Sequence, residues 1–259
     1  MKKKHALTVG VILLAATFLA WAIWQGPDSG PPQVQNLRSW QEADAPGGYE
    51  VEMEGGRRVP GFDHRLHLLS GIERFRIPLA NRFDFPMGST DGALTYNAQA
   101  FWEMNERRGG RHTGDDLNGI GGMNTDLGDP VFSVANGLVI YAGTPSRGWG
   151  KTLIVAHRTE DGEILQSMYA HLHSISVAMN TVVQRGERIG RVGGADGVYP
   201  AHLHFEMIDA NGLSLSPGYL MHRTNRIDPT GTLEARRGPG PPVSIDLILE
   251  NAERDQAGF

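Results

Sequence analysis

Tyr199-Pro200-Ala201-His202-Leu203-His204-Phe205-Glu206 alternates apolar and polar residues from Ala201 onward. In a β-strand successive side chains point to opposite faces. His202 and His204 therefore stand side by side, while Leu203 and Phe205 turn the other way into a core. Two imidazoles on one face can bind a metal together, or one can bind while the other works on its water. A His-x-His by itself is more often a polar surface pair. Two upstream clusters, His112-Thr113-Gly114-Asp115-Asp116 and Tyr169-Ala170-His171-Leu172, raise its weight. With 10 His and no Cys in the chain, any zinc site must use nitrogen and oxygen ligands.

The sequence around this stretch predicts a mainly β fold. Val131 to Ala135 and Leu138 to Ala142 flank Asn136-Gly137, a two-residue hairpin signal. Thr152 to Ala156 and Ile164 to Ala170 flank a polar turn with Asp161-Gly162, a second hairpin. Gly186 to Val192 is a further short strand, Ala201 to Ile208 another, and Asn211-Gly212 closes it. No stretch from Phe83 onward shows convincing helical periodicity, and Ile227-Asp228-Pro229 reads as the end of the unit. Antiparallel strands joined by short turns imply a β-sandwich or open barrel with one exposed groove.

The 259 residues suffice for one sizeable core or two small ones. A formal net charge of -5 and no basic tract beyond the N-terminus give no sign of a nucleic-acid partner. Absence of Cys excludes disulfides, thiolate zinc sites and a lipid-modified cysteine anchor. Lys2, Lys3, Lys4 and His5 precede an uncharged apolar run from Ala6 to Trp24, about enough to cross a bilayer as a helix. The lysines keep that end cytoplasmic, so the rest of the chain lies outside the membrane. Trp21 and Trp24 suit a retained anchor at the far interface. Ala20-Trp21-Ala22 also fits the small-x-small rule of a cleaved signal peptide. Gln25 to Asn36 reads as a linker, and Tyr49 to Glu54 alternates like a half-buried strand.

Together, His112-x-x-x-Asp116, Tyr169-Ala170-His171-Leu172 and His202-Leu203-His204-Phe205-Glu206 resemble the lysostaphin-type (LytM-like) zinc metallopeptidases, which cut the peptide part of peptidoglycan. Gly128-Asp129-Pro130-Val131, Ala135 to Val139 and Gly186 to Gly190 match the family framework, and the resemblance covers about Phe83 to Thr230. It implies a zinc-containing groove with His112, Asp116 and His204 as metal ligands and His171 and His202 as the catalytic pair. Two imidazoles and one carboxylate leave a fourth zinc position open. The implied organisation is a signal anchor or signal peptide (1–24), a linker and N-terminal extension (25–82), a zinc metallopeptidase domain (83–232) and a C-terminal tail (233–259). The implied substrate is a peptidoglycan peptide, met in the bacterial cell envelope, with the membrane as second partner through the N-terminal helix.

Several readings stay open at this level. Asp115 neighbours Asp116 and offers the same chemistry. His171-Leu172-His173 is a second His-Leu-His. His157 ends a strand and is expected to pack or hydrogen-bond near the site without ligating; Tyr199 either lines the cleft or is exposed. The sequence does not say which of His171 and His202 is the general base. Leu117 to Leu127 is longer than the common family form and is expected to reshape one cleft wall. The segment from Arg38 to Ala80 either covers the cleft or extends the sheet. Two function classes follow: an active endopeptidase, or a non-catalytic regulator that binds peptidoglycan and activates other wall hydrolases.

Overall fold

The computed structural model describes residues 50–52, 58–60 and 68–238. The apolar run ending at Trp24, the linker after it and the part of the tail from 239 lie outside the described residues. Among the described residues no helix is long and apolar enough to cross a membrane. Strands β1 (Glu50–Glu52) and β2 (Arg58–Pro60) pair antiparallel, with Val51 opposite Val59. The strand expected at Tyr49 to Glu54 is thus present in its central residues.

The main sheet runs in the order β12 (Val182–Val183), β8 (Gly137–Gly143), β9 (Lys151–Arg158), β10 (Ile164–Leu172), β14 (Leu203–Asp209), β6 (Asp115–Gly119) and β3 (Thr95–Gln99). β16 (Arg226–Ile227) also pairs with β14. Its pairings are antiparallel. A second sheet of β11 (Ser174–Ile175), β13 (Arg188–Arg191) and β7 (Pro130–Phe132) and a third of β15 (Tyr219–Leu220), β5 (Gly110–His112) and β4 (Met104–Asn105) complete the β structure.

Alternation sorts the main sheet into two apolar faces. Leu153, Val155, Tyr169, Leu203, Phe205 and Met207 face one core, which they share with Val131 and Ile189 of the second sheet and with Val192 just after it. Ile154, Ala156, Met168, Ala170 and Ile208 face the other, closed by Leu69, Ile77, Leu213 and Leu215. Burial on both faces is the main stabilising term, at roughly 25 cal/mol per Å² of apolar surface. The fold is mainly β with antiparallel sheets, as the alternation predicted.

Two local expectations are corrected. Asn136-Gly137 does not close a hairpin: β7 pairs with β13, while β8 pairs with β9 and β12. Gly137 is already in strand β8, where a Cβ would meet Val155 Cγ1 at 2.3 Å. The chain crosses between sheets there, and close approach rather than a turn requires the glycine. The second hairpin is present, β9 to β10, with Gly162 at φ 82°. The other correction is a short helix beyond Phe83, at 229–235, and a further one at 71–76 lies in a stretch for which no element was predicted. In α1 (Gly71–Arg76) Ser70 and Glu73 form a reciprocal capping box. In α2 (Pro229–Ala235) the Asp228 carboxylate accepts from Gly231 N and Leu233 inserts into the core. Helices of 6 and 7 residues are under two full turns, too short to show a period.

Candidate metal centre

Strand register builds the site. β14 pairs with β6 so that His204 lies opposite Asp116, and Phe205 opposite Asp115. Asp116 thus shares the face of His204, while Asp115 shares the face of Phe205. Asp115 is buried and accepts hydrogen bonds from Phe101 N at 2.8 Å and Thr230 Oγ1 at 2.7 Å. It ties the N-terminus of α2 to the sheet and takes no part in the cluster. β5 brings in His112 at its last residue. His112 Nε2, Asp116 Oδ1 and His204 Nδ1 converge: the two nitrogens are 3.0 Å apart, and they lie 3.2 and 3.0 Å from the oxygen. These three residues form a His-Asp-His group able to hold a metal ion.

The donor set fits zinc. Zinc–ligand bonds of about 2.0–2.1 Å arranged tetrahedrally need ligand atoms about 3.3–3.4 Å apart, close to the separations here. The outward nitrogen of each ring is engaged by a partner, which fixes ring orientation. His112 Nδ1 lies 3.1 Å from the Gln99 carbonyl oxygen, and His204 Nε2 lies 3.2 Å from Glu206 Oε1. Without a metal, burial opposes a charge on His204, but Asp116 and Glu206 outweigh it and raise its pKa to about 9. Burial likewise opposes charge on Asp116, and the hydrogen bonds from His112 and His204 overcome it, holding the carboxyl well below its ordinary range.

Behind His204 lies a buried polar chain. Glu206 Oε2 accepts from Arg226 Nε at 3.0 Å, and its Oε1 accepts from Thr113 Oγ1. Burial pushes the Glu206 carboxyl up, but Arg226 foremost, with His204 and Thr113, brings it down to about 2. Thr113 N also donates to the Gly218 carbonyl at 3.0 Å. Gly114 is required here: a Cβ would lie 2.4 Å from Phe205 O and 3.0 Å from His204 Nε2.

His171 reaches the site through a distortion of β10. Tyr169 faces the first core and Ala170 the second, so alternation would send His171 back to the first. Instead the register shifts between Tyr169 and Leu172, His171 adopts φ 62°, and Leu172 takes the place in the first core. An irregularity of this kind re-aims a side chain, and left-handed backbone at a non-glycine residue is sparsely populated. His171 Nδ1 lies 3.2 Å from the Trp149 carbonyl oxygen, leaving Nε2 for the cleft. Burial first, then the neighbouring His204 and His202, push its pKa down to about 3. His202 itself forms an antiparallel bridge with Gly193 and places Nδ1 2.8 Å from Pro200 O and Nε2 3.6 Å from Asp116 Oδ1. The His171 and His202 rings are 4.8 Å apart.

All five residues line one cleft of about 410 Å³. Tyr199 lines it too, 4.7 Å from the His171 ring. His173 is exposed, turned away by the same distortion. His157 lies elsewhere, in a buried chain with Ser167 and Tyr169 under Phe83. The long segment after Leu117 does not line the cleft; it supports it from behind, where Asn124 Oδ1 accepts from Ala201 N at 2.7 Å.

The profile of Peptidase family M23 matches residues 112–217, a span that begins at His112 and contains the other four residues. The Caulobacter vibrioides cell division protein DipM is 38% identical over 99 residues, 38% of this chain and 15% of that protein. The murein hydrolase activator NlpD of Escherichia coli is 33% identical over 90 residues, 35% of this chain and 22% of that protein. The lipoprotein NlpD of Yersinia enterocolitica is 34% identical over 90 residues, which is 35% of this chain but 87% of that sequence. The chain belongs to peptidase family M23. The likeness spans less than a quarter of DipM and of the E. coli protein.

Within this M23 domain several cleft residues carried no sequence signal. Trp149 stacks 6.0 Å from His171, lies 5.1 Å from His204, and donates Nε1–H to Ser216 O. Tyr219 lies 5.3 Å from His112 and donates to Gln99 Oε1 at 3.0 Å. Glu206 was legible only as the residue two places after His204 on the same strand face.

Proposed function

We propose that this chain is a zinc-dependent endopeptidase that hydrolyses peptide bonds in peptidoglycan stem peptides or cross-links. In this reading His112, Asp116 and His204 hold the zinc, and His171 and His202 are the catalytic pair. The observation that carries it is the convergence of three donor atoms in a cleft that also receives two further histidines. A bound zinc ion would supply Lewis acidity and an acidified water. The chain's own residues do the rest. His171 and His202 each commit Nδ1 to a backbone carbonyl, so each offers Nε2 to the cleft. One ring, neutral, accepts the proton of the attacking water at Nε2 and passes it to the leaving amine; the other donates to the oxyanion from Nε2 as the imidazolium, with both of its nitrogens protonated. Trp149 and Tyr199 wall His171 and limit water around it.

The test uses the zinc-loaded full chain on purified cell walls, with mass spectrometry of the released fragments. Release of new amino and carboxyl ends in a zinc-dependent manner is the expected result. No release by zinc-replete protein overturns the reading.

The name of the E. coli relative favours a second reading. A murein hydrolase activator of that kind would bind peptidoglycan without cutting it and stimulate other wall hydrolases. Stimulation of an added wall hydrolase by a His171→Ala variant, with no release by wild type alone, would select this reading. In either case the relatives named as lipoproteins support a place in the cell envelope. This chain has no Cys to carry a lipid, so the anchor would be the apolar run before Trp24, with the domain outside the cytoplasmic membrane.

A further inference from the structure

Arg108 is the cleft residue that the metal chemistry leaves without a task. It sits on the turn between β4 and β5, and its backbone is fixed: Arg108 N donates to Asn105 O and to Asn105 Oδ1, each at 3.1 Å. Its guanidinium carbon lies 5.4 Å from the centroid of Tyr199 and 5.8 Å from that of Tyr219. Each tyrosine in turn packs on a site histidine, Tyr199 on His171 and Tyr219 on His112. The cation is therefore held over the cleft, one ring away from the metal centre on either side. Among the described residues no carboxylate pairs with it, and apart from the histidines, Arg108 and Asp116 are the ionisable acid and base groups of opposite charge that line the cleft.

A guanidinium presents a planar fork of donors that matches a carboxylate in two parallel hydrogen bonds. Stacking on two aromatic faces orients the plane while leaving its edge available for ligand. Asp116 is engaged by His112 and His204 and does not compete for Arg108. We propose that Arg108 is a specificity-determining residue that receives a free carboxylate of the substrate peptide. The ligand class is an acidic peptide, as found in stem peptides; an all-glycine bridge has no side-chain carboxylate to offer. This inference rests on the peptidase reading for the identity of the peptide, but the subsite itself is a matter of binding.

The test compares peptide fragments released from purified walls with the same fragments after amidation of their carboxylates. Binding to the zinc-loaded full chain is measured by titration calorimetry, and cleavage in parallel. Wild type should bind the acidic fragments about 10-fold or more tighter than the amidated ones. Arg108→Ala should remove that difference, and Arg108→Lys should keep part of it, with zinc content and melting temperature unchanged because the side chain is exposed. Such a result supports the subsite whether or not any fragment is cut. Equal binding or cleavage of acidic and amidated fragments overturns the subsite and leaves the hydrolase reading intact. A preference that survives Arg108→Ala overturns it as well. No binding and no cleavage of either set, at full zinc content, overturns both.

Discussion

Glu206 is a full negative charge with no solvent contact, sited between His204 and Arg226. Glu206→Gln keeps the shape but removes the charge that orients His204 and neutralises Arg226. Loss of such an outer partner typically costs about 10- to 100-fold in metal affinity, and an unpaired buried charge about 3–5 kcal/mol of stability. A chelator competition titration and a urea melt of the variant should show both; wild-type values in both would remove Glu206 from the site's support. His204→Ala should abolish zinc binding, read by plasma emission, and full occupancy would reject its role as ligand. His171→Ala and His202→Ala should instead retain zinc and lose about 100- to 10,000-fold in hydrolysis. At this scale the sequence was informative where chemistry needs rare residue types at short spacing, as in His112-x-x-x-Asp116 and His202-x-His204. Trp149, Tyr219 and Arg108 were not legible because their roles depend on neighbours distant in the chain, and nothing local distinguishes them from ordinary aromatic or surface residues.

The elements place these residues through departures from regularity as much as through regular pairing. The β10 distortion turns His171 into the cleft, and a strict alternation argument would have sent it to the core. Gly114 lets β5 and β6 pass against Phe205 and Glu206. Gly114→Ala should therefore weaken zinc binding and lower the melting temperature together, since the nearest obstacle is the Phe205 backbone oxygen rather than a movable side chain. An unchanged melt would show that the strands can part there. The β9–β10 hairpin carries a separate titration. Burial pushes His157 down to about 4, only partly offset by its bond to the Asn136 carbonyl. Its contribution to stability is complete above its ordinary pKa of about 6.5. Below that the unfolded chain takes up a proton that the folded chain refuses, so stability falls by up to about 3 kcal/mol as the pH drops to about 4. Urea unfolding at about pH 7 and about pH 4.5 should show this loss, and His157→Gln, less stable at the higher pH, should show a smaller one. An equal loss in the variant would assign the slope to other groups. Hairpin signals were half reliable: Asp161-Gly162 needs a left-handed glycine in a turn, whereas Asn136-Gly137, an equally strong turn signal in sequence, marks a close strand crossing.

For the whole molecule, the two faces of the main sheet are closed by different means, and this decides where the folded unit begins. The second sheet and Leu233 close one face; residues from 68 onward help to close the other. Ile77 is fully buried, Leu69 is nearly so, and Arg158 holds the segment through Nε to Ile77 O at 3.0 Å and Nη2 to Phe75 O at 3.2 Å. Leu79 bridges to Arg158, and Ala80 N donates to its carbonyl at 2.7 Å. None of residues 68–80 lines the cleft. Over its described part, then, the stretch from Arg38 to Ala80 does not add a strand to the main sheet, since β1 and β2 pair with each other in a sheet of their own, and residues 68–80 pack Leu69 and Ile77 on the second core away from the cleft. A chain starting at Asn81 should consequently lose more than a linker. Truncating a buried Leu or Ile costs about 2–5 kcal/mol, and each kcal/mol shifts the melting temperature of a domain this size by about 2–4 °C. Removal of Leu69 and Ile77 together should lower it by about 10 °C or more, while a chain starting at Leu68 should melt like the full chain. An Asn81 chain with the full melting temperature would show that this face closes without the segment. Wall hydrolysis at equal zinc content then isolates the remaining question. If the Leu68 chain is faster than the full chain, a covering role belongs to residues before 68; if the two rates agree, restraint of the cleft by those residues is excluded.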